Sequence, residues 1–197
     1  MSAVAPARGG RHRNQACDET ILAATLEILG EVGYEALTIA AVIERAGVSS
    51  ATLYRRFTAK HDLVAAAIGS LLAEPAHVDT GSLAGDVLAF LRNVSRSISA
   101  RFEHIAEGLA LATRDNPDLD AALREKFLEP RLAELREILG RARRRGELKS
   151  HPSAEHALSL VVGPVYHRAF ALREPITPAF VRATATYAVA GLVALAG

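Results

Sequence analysis

From Ile21 to Leu192 the apolar residues return at three- and four-residue intervals, and no stretch alternates apolar with polar between turn signals. The first pattern marks one face of a helix, whereas the second would mark a half-buried strand. The fold is therefore expected to be all-α. A chain of 197 residues, half of them hydrophobic, is long enough to bury a core without disulfides or metals. An aromatic share of only 5% and the absence of Trp also disfavour aromatic-rich β architectures. The single cysteine, Cys17, excludes a disulfide framework and a multi-cysteine metal site, and fits a reducing compartment. With 23 Lys and Arg against 22 Asp and Glu, overall charge points to no partner.

Residues 1–16 read as a flexible basic tail, with Arg8, Arg11 and Arg13 and no acid. The tail lacks the apolar stretch of a signal peptide. The uncharged run at 183–197 spans 15 residues, short of the roughly 20 needed to cross a bilayer. A cytoplasmic protein with no membrane partner is expected. Asp18 is a candidate N-cap for a first helix that Gly33 ends. Thr38 suits the start of a second helix with Ile39, Val42 and Ile43 buried, and Gly47 suits its left-handed end. Ser49 and Ser50 are candidate caps for a short third helix through Thr52, Leu53, Tyr54 and Phe57. A fourth follows with Leu63, Ala66, Ala67 and Leu71. Further helices are expected over about 86–100, 102–113 and 119–145, the last kinked at Pro130. Two more, at about 153–172 and 178–196, are apolar over most of their circumference. The domain organisation read from this is a tail at 1–16, a small N-terminal helical unit at 17–62 and a larger bundle at 63–197.

The informative stretch is Thr38–Lys60, TIAAVIERAGVSSATLYRRFTAK. A helix, a tight turn containing Gly and a short second helix make a helix-turn-helix. In that geometry the second helix presents its N-terminal residues to base edges in the major groove while the first crosses the backbone. Ser49, Ser50 and Thr52 are short hydroxyl residues, and Ala51 permits close approach. Tyr54, beside inward-facing Leu53 and Phe57, should point outward to a phosphate. Arg55 can reach a guanine edge or a phosphate, and Lys60 can neutralise a phosphate. Residues 8–62 hold seven basic and seven acidic side chains, so the basic ones must be segregated in space.

On these residues the chain resembles the TetR family of one-component transcriptional repressors. The resemblance covers about 20–68: Gly33-Tyr34, Leu37-Thr38, Ala46-Gly47-Val48-Ser49, Thr52-Leu53-Tyr54-Arg55-Arg56-Phe57 and Lys60-His61-Asp62-Leu63. Arg114-Asp115-Asn116-Pro117, Arg145-Gly146-Glu147-Leu148 and Gly163-Pro164-Val165-Tyr166 resemble one subgroup of the family's effector domains. The resemblance implies DNA-facing positions at Thr38, Ser49, Ser50, Ala51, Thr52, Tyr54, Arg55 and Lys60. Ser50 stands where a basic residue is common, and Arg55 where His is common.

The resemblance further implies double-stranded DNA with a palindromic operator as partner, a homodimer, and a small-molecule effector held in the C-terminal bundle. The larger candidates for pocket walls are Phe90, Phe102, Leu109, Phe127, Tyr166 and Phe170, each of which could equally be ordinary core. His104 could line the cavity or sit on an exposed helix face. Few charges fall on these faces, which leans toward an apolar or amphipathic ligand. The last two helices are the natural interface, with Leu158, Val161, Val162, Val165, Val181, Tyr187, Val189 and Leu192 as candidates. The run Arg141, Arg143, Arg144, Arg145, Lys149 reads as a solvated helix end offsetting the dipole. The seven histidines lack metal-ligand spacing and no nucleophilic triad or phosphate loop is present, so no metal, cofactor or enzymatic activity is expected. The competing function is a helical ligand carrier or interaction protein whose helix-turn-helix has lost DNA binding.

Overall fold

The computed structural model describes residues 9–71, 79–98, 100–150 and 152–195, and among these there is no strand. Side chains are described from residue 15 onward, except those of 100–104, 107 and 195. Helix α1 spans Gly9–Ala36, with Gly33 stepping out of helical geometry at φ 75° and ψ 177°. Half of the expected tail is thus helical, while residues 1–8 lie outside the described part. Asp18 lies inside α1 and does not cap it, because its carboxylate is engaged by Arg56 from 38 positions on. Thr20 Oγ1, bonded to the Ala16 carbonyl at 2.8 Å, helps carry the helix across this point.

Helices α2 (Ile39–Ala46), α3 (Ser50–Tyr54) and α4 (Lys60–Gly69) follow, then α5 (Leu83–Ser97) and α6 (Ala100–Asp115). The expected long helix is divided. Asn116 caps α7 (Pro117–Leu123), a π-helical turn occupies Arg124–Leu128, and α8 runs Glu129–Arg144. The π turn stands immediately before Pro130, where the backbone must accommodate a missing N–H. Helix α9 (Ala154–Tyr166) runs into a second π turn, His167–Ala171, and α10 covers Pro178–Leu195.

Two hydrophobic cores result. In the first, Ile21, Leu29, Leu37, Val42, Leu53 and Leu63 of the N-terminal helices pack with Ile105 and Leu109 of α6 and Leu119 of α7. The second joins α5, α8, α9 and α10 around Phe90, Leu135, Val161 and Leu192. Ile98 and Tyr166 pack against both. The reading helices are therefore mounted on α6 and α7 of the bundle, and α4 is the rod between.

At the far end of the second core, Arg143, Arg144 and Lys149 face solvent as expected, while Arg141 and Arg145 turn partly inward. Asp86, completely buried, accepts hydrogen bonds from Thr80 N at 2.8 Å and Thr80 Oγ1 at 2.7 Å. It also accepts bonds at 3.3 Å from Arg141 Nε and Nη2 and from Arg145 Nη2. Burial would raise the Asp86 carboxyl, but the Thr80 bonds and the two guanidiniums outweigh it and hold it below the ordinary value.

Candidate nucleic-acid interface

The helix-turn-helix forms where its local chemistry requires it. Thr38 Oγ1 accepts the Ala41 N–H at 3.2 Å and so caps α2. Gly47 ends that helix at φ 64° and ψ 31°, a left-handed conformation that any side chain would strain. Ser49 Oγ then accepts the Thr52 N–H at 3.2 Å and shares a 2.9 Å hydrogen bond with Thr52 Oγ1, capping α3. Val42 and Leu53 are fully buried and lock the two helices together. Ser50, Ala51, Tyr54 and Arg55 all face solvent, spaced so that they share one side of α3. Tyr54 is 53% exposed, outward as its spacing predicts.

Ion pairs fix this unit against α1. The Arg45 fork donates to both Glu31 oxygens at 2.9 and 3.0 Å, with Glu27 at 3.6 Å. That hydrogen bonding holds the Glu31 carboxyl below its ordinary value. Arg56 pairs with Asp18 through Nε and donates Nη1 to the Thr52 carbonyl at 3.0 Å, so the end of α3 is tied to α1. The Lys60 ammonium is engaged inside the chain. It donates to the Glu35 carbonyl at 3.1 Å and lies 4.3 Å from the centre of the Tyr34 ring. The charge segregation that the sequence demands is thus achieved by pairing: Arg45 and Arg56 are neutralised against α1, and Arg55 faces outward. Burial, then the neighbouring Glu35, push the Tyr34 phenol up, opposed by a hydrogen bond that Asn116 Nδ2 donates to its oxygen at 3.2 Å. Asn116 also caps α7, so one residue links the reading helices to the bundle.

The expected pocket walls separate. Phe90 lies in the second core and Leu109 in the first, while the side chains of Phe102 and His104 lie outside the described residues. Phe127, Tyr166 and Phe170 do come together. Tyr166 stacks on Phe170 with centroids 5.5 Å apart, and the Arg131 guanidinium lies 4.0 Å from the Phe127 centroid. Arg131 was not anticipated, although its position was legible: it precedes Leu135, Ile138 and Ala142 on the buried stripe of α8. A separate cleft of about 580 Å3, bordered by Val32, Tyr34, Leu111, Asp115 and Asn116, contains none of the expected walls.

The interface candidates divide. Leu158, Val161, Val162, Val165, Val181 and Leu192 are buried in the chain's own second core and leave little surface for a partner. Val189 is partly buried, and Tyr187 is 75% exposed. The exposed residues of α9 are Glu155, His156, Ser159 and Pro164, followed by His167 in the π turn, and those of α10 include Arg182, Ala183, Thr186, Tyr187, Ala190 and Val193. Among the described residues no helix is long and apolar enough to cross a membrane, and no group of His, Cys, Asp or Glu could hold a metal ion.

A capped and clamped helix-turn-helix, mounted on a larger helical bundle, defines a DNA-binding transcriptional regulator. The chain belongs to the TetR family. Residues 21–67 match the family described as Bacterial regulatory proteins, tetR family, and residues 77–188 match the Tetracyclin repressor-like, C-terminal domain. An uncharacterized HTH-type transcriptional regulator of Mycobacterium bovis, Mb1581, is 34% identical over 83% of this chain and 81% of its own length. The DNA-binding transcriptional repressor TetR of Mycobacteroides abscessus is 29% identical over 68% of this chain and 72% of its own. The crystal structure of the TetR family transcription regulator SCO0332 superposes with a TM-score of 0.66 at 30% identity, covering 89% of this chain and 97% of that one.

Proposed function

We propose that the protein is a repressor that binds a palindromic operator as a homodimer in the cytoplasm and leaves it when a small molecule enters the C-terminal bundle. Residues 17–62 read DNA, and 63–197 hold the effector and the partner protomer. The observation that carries this is the cluster Ser50, Ala51, Tyr54 and Arg55, exposed together on a helix that Ser49 caps and Arg56 ties to α1. Arg55 reads a base edge, while Tyr54 and the cap hydroxyls of Thr38, Ser49 and Thr52 meet phosphates. One such helix offers few base contacts, so two copies are needed, with half-sites roughly 34–36 Å apart. Pairing through the outer faces of α9 and α10 forms a four-helix bundle in which Ala183, Ala190 and Gly163 allow close approach and Tyr187 becomes buried. Repression agrees with the name of the M. abscessus relative.

Selection of random duplexes by the purified protein, read by sequencing, tests the reading. The expected result is an enriched palindrome bound by a species of twice the chain mass in sedimentation. No enriched sequence, with weak affinity that fades as salt is added, would favour the ligand carrier.

A further inference from the structure

The bundle buries two polar side chains that the described residues do not satisfy. Arg131 is 6% exposed, yet of its five N–H donors only Nη1 is bonded, to the Phe127 carbonyl at 3.3 Å. Among the described residues no carboxylate hydrogen-bonds to it; the Glu134 carboxylate acts on it from a distance, and the Tyr166 phenol lies near. The Tyr166 hydroxyl is buried with no hydrogen-bond partner among those residues. Burial pushes the Arg131 guanidinium below its ordinary value and the Tyr166 phenol above its own. Among the described residues the buried guanidinium has no bonded carboxylate and the buried hydroxyl has no hydrogen bond, both of which oppose folding, so a chain that keeps them in one neighbourhood needs a compensating use. The setting is also unusual. Phe127, beneath Arg131, lies in one π turn, and Phe170, stacked on Tyr166, lies in the other. Single π turns are frequent at functional sites.

The geometry points to an effector site in which Arg131 and Tyr166 receive a small monocarboxylate, with Phe127 and Phe170 against its apolar or aromatic body. A guanidinium fork matches a carboxylate bidentately, and a phenol O–H supplies one more donor to the same anion. One cation fits one negative charge. The carbon body meets ring faces, and the π turns carrying those rings adjoin α4 and α6, the elements that support the reading helices. This assignment deepens the ligand-responsive reading proposed above and rests on it.

The test uses the full chain, with Arg131→Met and Tyr166→Phe as variants. Thermal melting is followed with benzoate, phenylacetate, 4-phenylbutyrate and octanoate, each beside its primary amide. At least one acid should raise the wild-type Tm by about 5–11 °C at a hundredfold excess over its Kd, and its amide should not. Arg131→Met should weaken that acid by roughly 10–150-fold. Without any acid, both variants should melt no lower than wild type, since each removes an unsatisfied polar group. The proposal is overturned if no acid exceeds its amide, if Arg131→Met responds as wild type does, or if both variants melt lower in the absence of acid. In those cases Arg131 and Tyr166 are packing residues completed by water. Titration of the selected duplex without acid reads the regulator assignment separately, so its failure is distinguishable from failure of the carboxylate site.

Discussion

Replacing Asp86 with asparagine removes the one negative charge at the centre of the largest ion-pair network in the bundle. Its two oxygens accept five hydrogen bonds, from Thr80 N, Thr80 Oγ1, Arg141 Nε, Arg141 Nη2 and Arg145 Nη2. The amide side chain would keep the shape but turn an N–H toward donors and leave Arg141 with only the exposed Asp79, and Arg145 with Asp79 and Glu147, as counter-charges. Breaking a buried pair so that a charge is left uncompensated costs about 3–5 kcal/mol, and because both guanidiniums stay partly exposed and keep other partners the cost here is about 3 kcal/mol or somewhat less. For a chain of this size that is a Tm lower by about 4–12 °C at pH 7. The effect should depend on pH in one direction. The folded-state carboxyl lies below the ordinary value of roughly 3.9, so its stabilisation is complete above that pH and is lost as pH falls through the folded value. Asparagine does not titrate, so the gap in Tm between wild type and Asp86→Asn should be constant from about pH 7 to 5 and narrow below about 4. Melting followed by circular dichroism across that range is sufficient. A gap under about 2 °C at pH 7, or one as wide at pH 3 as at pH 7, would refute the reasoning.

Substitutions at three positions test the reading helices. Arg55→Ala should relax discrimination at one position per half-site by about 1–3 kcal/mol, measured by competition among single-mismatch duplexes. Ser49→Ala should weaken every duplex by roughly 2–30-fold, because it removes a cap worth about 0.5–2 kcal/mol from a five-residue helix, whereas Ser49→Gly should be milder. Lys60→Ala should lower the Tm by about 1–4 °C through loss of its contact with the Tyr34 ring while leaving the salt slope of DNA binding unchanged. A slope reduced by about one would place Lys60 on a phosphate instead.

The reading unit was legible because each of its signals is local. Thr38, Gly47 and Ser49 act on backbone groups within four positions, so their identities and spacing state the geometry directly. Asp18 misled for the opposite reason: a carboxylate that would cap a helix in isolation is claimed by Arg56, which only the folded chain brings near. In α9 and α10 the difficulty is periodicity itself. When a helix is apolar nearly all round, residues such as Val161 and Val181 look alike whether they meet the chain's own core or another copy. Arg131 marks what the pattern did contain, a charge on an otherwise apolar stripe, which signals a specific partner more than a packing role.

Between the candidate effector site and the reading helices stands α4, and one glycine measures how tightly the two are joined. A Cβ on Gly69 would sit 3.0 Å from the Lys126 carbonyl oxygen and 3.5 Å from Lys126 Cβ, in the same π turn that carries Phe127. The other end of α4 is held by Lys60 on Tyr34 and the Glu35 carbonyl. A shift of that π turn is therefore transmitted along a helix gripped at both ends. Elsewhere, replacing glycine with alanine in a helix stabilises by about 0.4–1 kcal/mol through the unfolded chain. Gly108 in α6 offers that comparison, since its Cβ would meet nothing within 4 Å. Gly108→Ala should raise the Tm by about 1–4 °C. Gly69→Ala has the same gain in the unfolded chain but must displace a backbone oxygen that cannot rotate away, so its Tm should not rise, and its DNA affinity should change where that of Gly108→Ala does not. If Gly69→Ala melts as high as Gly108→Ala with unchanged DNA affinity, the contact is slack and α4 does not couple the two sites through it.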